Sequence, residues 1–298
     1  MVDLEECYLQ PEPSNTIRQA VREFAREKGL SFYDLKNRGG LLRNLIIRNT
    51  LSGEVMVILV FFEEDEELRT ALLDYLRSTF PEITSLMYCI NRKANDSIAD
   101  QEFLLHSGRD HILERMEDLQ FRIGPKSFFQ TNSTQALELY RKVREYVLLT
   151  GNETVYDLYT GTGTIGLFLA GKAGKVVGIE YIEEAIRDAR ANAELNGIRN
   201  ARFFNGDIRD VLTREFIGRE GQPDVLVSDP PRAGMHKDVV DQILFAMPRR
   251  IVYVSCNPAT QARDLQLLSE KYRILEVQPL DMFPHTYHVE NIVVLEKV

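Results

Sequence analysis

The feature that most constrains the fold of this chain is the regular alternation of strand-like and helix-like segments after Pro125. Short apolar runs predict strands at residues 154–157, 175–180, 201–204, 225–228, 251–255, 274–279 and 291–297. Amphipathic segments between them predict helices at residues 133–149, 164–170, 182–195, 208–216, 237–246 and 259–271. Repeated β-α units of this length predict a parallel sheet with helices on both faces. In such sheets, ligands bind at the carboxyl ends of the strands.

The residues before Pro125 lack this alternation and predict a mixed α+β arrangement. Helical spacing occurs at residues 14–28, where Ser14 or Asn15 is the expected N-cap, and at residues 66–79. Strand-like runs occupy residues 41–49, 54–62, 83–90, 102–106, 112–116 and 119–123. A chain of 298 residues suits one large or two modest domains. We therefore predict a smaller α+β domain at residues 1–124 and an α/β domain at residues 125–298.

Composition excludes several classes of protein. The chain is 44% hydrophobic and 27% charged, which is ordinary for a globular protein. It has no run of about 20 apolar residues, and its acidic N-terminus does not resemble a signal peptide. The cysteines Cys7, Cys89 and Cys256 are odd in number and far apart, so a disulfide framework is not expected. We therefore predict a cytoplasmic protein that does not enter a membrane.

The charge pattern leaves two interpretations open. A net charge of -9 argues against nucleic acid as a partner, because basic residues supply most of the non-specific affinity for phosphates. Residues 35–50, however, contain Lys36, Arg38, Arg43 and Arg48 and no acidic residue. This strip is either a solvated strand face or a surface that faces RNA.

A glycine-rich turn follows the first strand of the α/β region. Gly161 and Gly163 allow the backbone to turn tightly and to approach a ligand closely. Glu180 ends the next strand, where its carboxylate would accept both hydroxyls of an adenosine ribose. Asp207 follows the third strand and is placed to meet the adenine edge. These positions predict a nucleoside-containing cofactor.

Residues 161–166 also match the G-x-G-x-x-G pattern of nicotinamide-dinucleotide sites, so the turn alone does not separate two cofactors. Two features favour S-adenosylmethionine. Asp157 lies inside the strand end, where it would pair with the ammonium group of that cofactor. The turn is also preceded by a long helix and by the polar segment 129–132. A glycine turn that binds nothing is the remaining interpretation.

Two further motifs end the fourth and fifth strands of this region. Asp229 is followed by Pro230, Pro231 and Arg232, and the prolines fix a rigid turn. Arg232 stands where methyltransferases of base amines tend to have an aromatic residue, which argues against such a substrate. Cys256 leaves the next strand just before a helix. A single cysteine is usually a buried hydrophobic residue, but a helix N-terminus is expected to lower the pKa of a thiol.

The last motif lies between the two closing strands and contains His285, His288 and Glu290. With Cys256 these residues would suggest a metal site, but their spacing fits no familiar zinc pattern, and we predict no metal. A carboxylate near a cysteine instead predicts a base and a nucleophile. Carbon 5 of uracil attacks a methyl sulfonium only after a thiolate adds to carbon 6, and a base must then remove the carbon-5 proton. The sequence offers one residue of each kind.

In their order along the chain, the motifs at residues 129–132, 157–159, 229–232, 255–258 and 285–290 resemble those of the RNA uridine-C5 methyltransferases. This family includes the bacterial 23S ribosomal and transfer RNA enzymes. The resemblance implies a Rossmann-like S-adenosylmethionine domain preceded by an RNA-facing domain. It implies Cys256 as nucleophile, Glu290 as base, and a cofactor site formed by Gln130, Tyr159, Thr164, Glu180, Asp207 and Asp229. It favours 23S rRNA over tRNA as the partner and implies neither a membrane nor a protein partner.

The chain departs from many ribosomal members of the family, which have an N-terminal barrel and a four-cysteine iron–sulfur cluster. It shows no barrel-like segment before Cys7 and no Cys-x-x-Cys, so no cluster is expected. The chain is then either shortened at its N-terminus or a short form of the family. Three other functions stay open at this point: methylation of another base position such as cytosine C5, RNA binding without catalysis, and a dehydrogenase activity.

Overall fold

The computed structural model describes residues 4–98 and 100–298. These residues divide into two compact units. The first contains residues 4–115 and 122–127, and the second contains residues 116–121 and 128–298. The predicted boundary between residues 124 and 125 stays a prediction, because compactness does not show which segments fold independently. No helix in the described part of the chain is long and apolar enough to cross a membrane.

The first unit is built around a four-stranded sheet in the order β1-β2-β3-β4. Its helices and strands are α1 (Ser14–Lys28), β1 (Leu42–Asn49), β2 (Val55–Phe61), α2 (Glu66–Thr79), β3 (Ile83–Ile90) and β4 (Leu104–Gly108). The pairs β1–β2 and β3–β4 are antiparallel, whereas β2–β3 is parallel. Apolar residues of α1 and α2 pack with alternate residues of β2 into one core. A two-stranded sheet, β5 (Ile112–Met116) and β6 (Leu119–Ile123), follows.

The expected N-cap of α1 is wrong. Ser14 and Asn15 both lie inside the helix, and Pro13 is the capping residue, without a side-chain hydrogen bond. The Asn15 side chain accepts from the backbone N–H of Cys7 at 2.9 Å, and the Ser14 hydroxyl accepts from Asn49. Because both side chains bind these other partners, they do not cap the helix. The local sequence does not reveal that these partners compete with the helix N-terminus for the side chains.

Neither interpretation of the basic strip, as a solvated face or as a surface for RNA, applies to two of its four cations. The Arg43 side chain is buried and donates to the backbone carbonyls of Asn91, Lys93 and Asn95. Arg48 donates to three carbonyls of the segment 124–127. Both guanidinium groups therefore satisfy buried backbone acceptors. Lys36 and Arg38 are exposed, so they alone remain as candidates for contact with RNA.

The second unit contains a seven-stranded sheet in the order β12-β13-β11-β10-β7-β8-β9. Its strands are β7 (Thr154–Leu158), β8 (Lys175–Glu180), β9 (Ala201–Asn205), β10 (Val225–Ser228), β11 (Arg250–Ser255), β12 (Tyr272–Leu280) and β13 (Glu290–Lys297). Its helices are α3 (Ser133–Tyr146), α4 (Thr164–Ala170), α5 (Glu183–Leu195), α6 (Ile208–Val211), α7 (Arg214–Glu220), α8 (Lys237–Ala246) and α9 (Pro258–Leu268).

Two details of this unit differ from the prediction. The helix expected at residues 208–216 is two short helices, because the Thr213 side chain caps a new helix by accepting from the N–H of Phe216. The sheet is not wholly parallel either. The strands from β11 to β9 are parallel, whereas β13 runs antiparallel to both β11 and β12.

The sheet is covered on both faces. On β7, Val155 packs into the core on one face of the sheet, whereas Tyr156 and Leu158 pack into the core on the other face. Successive side chains of a strand point to opposite faces in this way. The predicted α/β, Rossmann-like fold is confirmed. The strand order reverses between β7 and β10, and in such sheets this reversal opens a crevice at the carboxyl ends of the strands.

Candidate active site

Asp157 lies in β7, beside the reversal of strand order, and is almost fully buried. Its Oδ2 accepts from the Thr160 hydroxyl at 2.5 Å and from the backbone N–H of Gly166 at 2.9 Å. The carboxylate therefore ties the strand to the glycine turn and to α4. Burial raises the pKa of Asp157 to about 6, against the lowering effect of these two hydrogen bonds.

The glycine turn has the open geometry that a close ligand requires. Gly161 has a φ of +54°, and a Cβ built at this position would meet no other heavy atom within 4 Å. Its N–H donates to Oε2 of Glu180 at 3.1 Å, and the N–H of Ile182 donates to Oε1 at 2.9 Å. Two backbone donors thus fix the Glu180 carboxylate while each oxygen keeps a second acceptor site. Thr164 is the first residue of α4, and its hydroxyl lies 3.1 Å from that of Thr162.

The other predicted cofactor residues lie in connecting segments. Tyr159 follows β7 with a positive φ of 60° and is half-buried. Asp207 caps α6, and Arg209 donates to both of its oxygens, which lowers the pKa of Asp207. Gln130 is half-buried in the segment between β6 and α3. Their roles stay predictions.

The strand register brings the two predicted catalytic residues to the same end of one strand pair. In the antiparallel pair of β11 and β13, Ser255 pairs with Asn291. Cys256 is the first residue beyond β11, and Glu290 is the first residue of β13. After burial, the charge of Glu290 is the main influence that raises the pKa of the Cys256 thiol. Ser228 of β10 pairs with Tyr253, so Asp229 emerges at the same edge of the sheet.

Asp229 is influenced by two other carboxyl groups at this edge. Burial raises the pKa of Asp229 to about 8, and the charges of Glu290 and Asp157 contribute. Burial likewise raises the pKa of Glu290 to about 7, while Arg232 lowers it. Burial raises the pKa of the Tyr140 hydroxyl on α3, and the charges of all three carboxyl groups raise it further. A carboxyl whose pKa is near neutrality can take up and release a proton at physiological pH, as a general base must.

The expectation for the Cys256 thiol is wrong. Burial and the carboxylates of Glu290 and Asp229 raise its pKa, whereas the Arg232 side chain lowers it through a hydrogen bond and its charge. Cys256 also precedes α9 by two residues, with Asn257 as the N-cap. The helix N-terminus therefore does not dominate the ionisation of this thiol; the neighbouring charged side chains and burial do.

The segment after Asp229 is attached to α9. Asn257 and Thr260 both donate to the backbone carbonyl of Arg232 at 3.1 Å. The fully buried Asp264 accepts from the backbone N–H of Met235 and from the Tyr253 hydroxyl, each at 2.7 Å. These hydrogen bonds thus join the segments that follow β10 and β11 to α9.

The structure adds three residues to the site that the sequence did not identify. Arg232 served as part of the motif at residues 229–232 and as an argument against an amine substrate, but no role in the site was assigned to it. Tyr140 sits at helical spacing among core residues, and Asp264 looks like an ordinary helix residue. No spacing rule would have selected them. Within residues 4–98 and 100–298, no three His, Cys, Asp or Glu side chains are grouped in a way that could hold a metal ion.

Comparison with known proteins gives consistent matches. The family model of tRNA (Uracil-5-)-methyltransferase matches residues 42–298. A Bacteroides thetaiotaomicron protein described as an uncharacterized RNA methyltransferase is 58% identical over 296 residues, which cover 98% of this chain and 65% of that protein. A Porphyromonas gingivalis protein of the same description is 57% identical and is matched over 64% of its length. The chain thus spans less than two thirds of these relatives.

Among solved structures, the chain is similar to Pyrococcus abyssi tRNA (uracil-54, C5)-methyltransferase in complex with S-adenosyl-L-homocysteine. The TM-score is 0.83 and the identity 37%, over 99% of this chain and 70% of that one. The resemblance drawn from the sequence motifs is confirmed. The chain therefore belongs to the tRNA (uracil-5-)-methyltransferase family.

Proposed function

We propose that this chain carries out S-adenosylmethionine-dependent methylation of carbon 5 of a uridine in RNA. The observation that supports the proposal is the end of the β11–β13 pair, where Ser255 pairs with Asn291 and Cys256 and Glu290 are each one residue further on. Burial raises the pKa of Glu290 to about 7, and the charge of Glu290 acts on the Cys256 thiol. The glycine turn follows β7 at the same edge of the sheet. The family to which the chain belongs is named for this chemistry.

The residues at the carboxyl ends of the strands fit S-adenosylmethionine. The open space at Gly161 admits a ligand next to the backbone, and the fixed carboxylate of Glu180 is suited to a pair of ribose hydroxyls. We assign Gln130, Tyr159, Thr164, Asp207 and Asp229 to the same site. The ligand in the Pyrococcus abyssi enzyme supports this choice. When bound, the cofactor supplies an electrophilic methyl group.

Cys256 and Glu290 would perform complementary steps on the base. The Cys256 thiolate adds to carbon 6 of uracil, forming an Sγ–C6 bond and making carbon 5 nucleophilic. Once carbon 5 carries its methyl group, Glu290 takes the carbon-5 proton, the electron pair re-forms the C5–C6 double bond and the Sγ–C6 bond breaks. In a folded RNA the uridine must first leave its stack.

The class of RNA has two candidates. Resemblance to the ribosomal members favours 23S rRNA, whereas the Pyrococcus abyssi enzyme supports position 54 of tRNA. We propose that residues 1–124 face the RNA in either case, with Lys36 and Arg38 as the exposed cations of the predicted strip. Methylation of another base position, such as cytosine C5, remains the alternative reaction.

The test is nucleoside mass spectrometry after incubation of the protein with S-adenosylmethionine and RNA that lacks the modification. We expect 5-methyluridine from either a tRNA or a 23S rRNA transcript, and mapping of the product identifies the position. Cys256→Ala should lose turnover yet still bind the cofactor, measured by calorimetry. Methylated cytidine as the product, or turnover by Cys256→Ala within tenfold of the parent, would contradict the proposal.

A further inference from the structure

The side chain of Arg232 acts on both proposed catalytic residues. It lowers the pKa of the Cys256 thiol, and its charge also lowers the pKa of Glu290. Its Nη2 donates to Nδ1 of His288 at 2.7 Å. The backbone of Arg232 is fixed as well, because its carbonyl accepts from Asn257 and Thr260, which follow Cys256 on the chain. Arg232 is therefore held between the residue that follows Cys256 and a residue that precedes Glu290.

The surroundings of Cys256 show why a cation is needed there. The reactive form of a cysteine is the thiolate, an anion. Burial and two carboxyl groups, Glu290 and Asp229, all oppose the formation of this anion. Among the groups of the described residues 4–98 and 100–298 that act on the thiol, Arg232 is the one that lowers its pKa. A guanidinium stays charged throughout the physiological range and can donate to two acceptors in fixed directions.

We propose that Arg232 is a further catalytic residue, whose guanidinium stabilises the Cys256 thiolate while His288 holds it in place. The two prolines before Arg232 contribute to this role, because their fixed φ restricts the backbone that leads into the arginine. The catalytic meaning of this inference rests on the proposed function. The ionisation of the thiol does not, and it can be measured without RNA or cofactor.

The experiment follows the alkylation of Cys256 by iodoacetamide as a function of pH in the full ligand-free chain. The thiolate displaces iodide and gains a stable Sγ–C bond, and peptide mass spectrometry distinguishes Cys256 from Cys7 and Cys89. Two neutral variants, Arg232→Gln and Arg232→Met, should shift the alkylation profile upward by about one pH unit. Their alkylation rate at pH 7.5 should then fall by about tenfold, because the thiolate fraction falls by that factor.

Two controls separate charge from structure. Arg232→Lys keeps the charge and should remain within about half a pH unit of the parent profile. Arg187→Gln removes an exposed arginine that pairs with Glu184, and it should leave the profile unchanged. Circular dichroism confirms that each variant is folded. The inference is overturned if a folded neutral variant keeps the parent profile, or if the Lys and neutral variants share one profile.

Failure of this inference is distinguishable from failure of the proposed function. An upward shift without any 5-methyluridine would contradict the proposed reaction but leave the role of Arg232 toward the thiol in place. Conversely, 5-methyluridine from a protein whose neutral Arg232 variants show no shift would contradict the role of Arg232 alone.

Discussion

At the scale of single residues, the candidate site is a place where buried carboxyl groups are kept close together. Asp157, Asp229 and Glu290 all have a raised pKa because burial disfavours their charged forms, and the charges of Glu290 and Asp157 raise the pKa of Asp229 further. Such a cluster destabilises the fold when its members ionise. It is suited to a site that binds an ammonium group and exchanges protons, since perturbed pKa values are typical of functional sites.

The pH dependence of stability tests this description. The pKa of Asp229 is about 8 in the folded chain, against an ordinary value of 3.8. The folded state therefore keeps a proton that the unfolded state loses, so the free energy of unfolding falls as pH rises between about 4 and 8. Asp229→Asn cannot ionise. Without ligand, the free energy of unfolding of this variant at pH 8 should be about 1–3 kcal/mol higher than that of the parent. This range allows for the partial exposure of the carboxyl group.

Urea denaturation at pH 4 and pH 8 measures this difference. The two proteins should have nearly equal stability at pH 4, where the aspartate of the parent is largely protonated in the folded state. A variant that is less stable than the parent at pH 8 would show that Asp229 is stabilised in its ionised form by contacts that outweigh burial.

At the scale of secondary structure, α9 holds the segment that follows β10. Asp264 of α9 accepts from Met235 and Tyr253 in a fully buried position. Gly234 shows how closely this helix approaches, because a Cβ there would lie 2.6 Å from Nη2 of Arg263 and 2.7 Å from Oδ2 of Asp264. The positions of Asp229 and Cys256 thus depend on a helix that carries neither of them.

Asp264→Ala should therefore destabilise the chain and loosen this edge of the sheet. It leaves two buried donors without an acceptor, which costs about 1–3 kcal/mol for each. We expect the free energy of unfolding in urea to fall by about 2–4 kcal/mol. Asp241→Ala is the matched control, since it removes an exposed aspartate whose partner is Lys237 and should cost less than about 1 kcal/mol. Equal effects of the two substitutions would contradict the role of Asp264.

The elements of the second unit were predictable because each apolar run has glycine or polar residues at its ends. The sequence also predicted Cys256 and Glu290 as a pair, but it did not reveal that β11 and β13 pair in antiparallel register, with Ser255 opposite Asn291. Arg43 and Arg48 were not predictable as structural residues. An arginine that satisfies buried carbonyls and one that faces solvent have the same sequence pattern, and only tertiary contacts distinguish them.

At the scale of the whole molecule, a chain of net charge -9 has to bind a polyanion through local cations. Because the Arg43 and Arg48 side chains bind backbone carbonyls, Lys36 and Arg38 are the remaining cations of the strip that could contact RNA. If these two residues contact phosphates, the double Ala variant should reduce the salt dependence of RNA binding by about 1.4–1.8 units of slope. Fluorescence anisotropy over a range of salt concentrations measures this slope.

The matched control replaces Arg187 and Lys237, two exposed cations that already have acidic partners. It removes the same charge and should leave the slope nearly unchanged. If the two double variants give the same slope, residues 36 and 38 contribute only to net charge, and the first unit contacts RNA elsewhere or not at all.

The measurement that tests the central claim most directly is a denaturing gel of Glu290→Gln with labelled RNA and S-adenosylmethionine. Gln keeps the size of Glu but cannot accept the carbon-5 proton, so the methylated uridine should remain bonded to Cys256. We predict a slowly migrating protein–RNA band that is absent from the Cys256→Ala, Glu290→Gln double variant. Normal turnover by Glu290→Gln, or inactivity without any trapped band, would contradict the assignment of Glu290 as the base that releases the product.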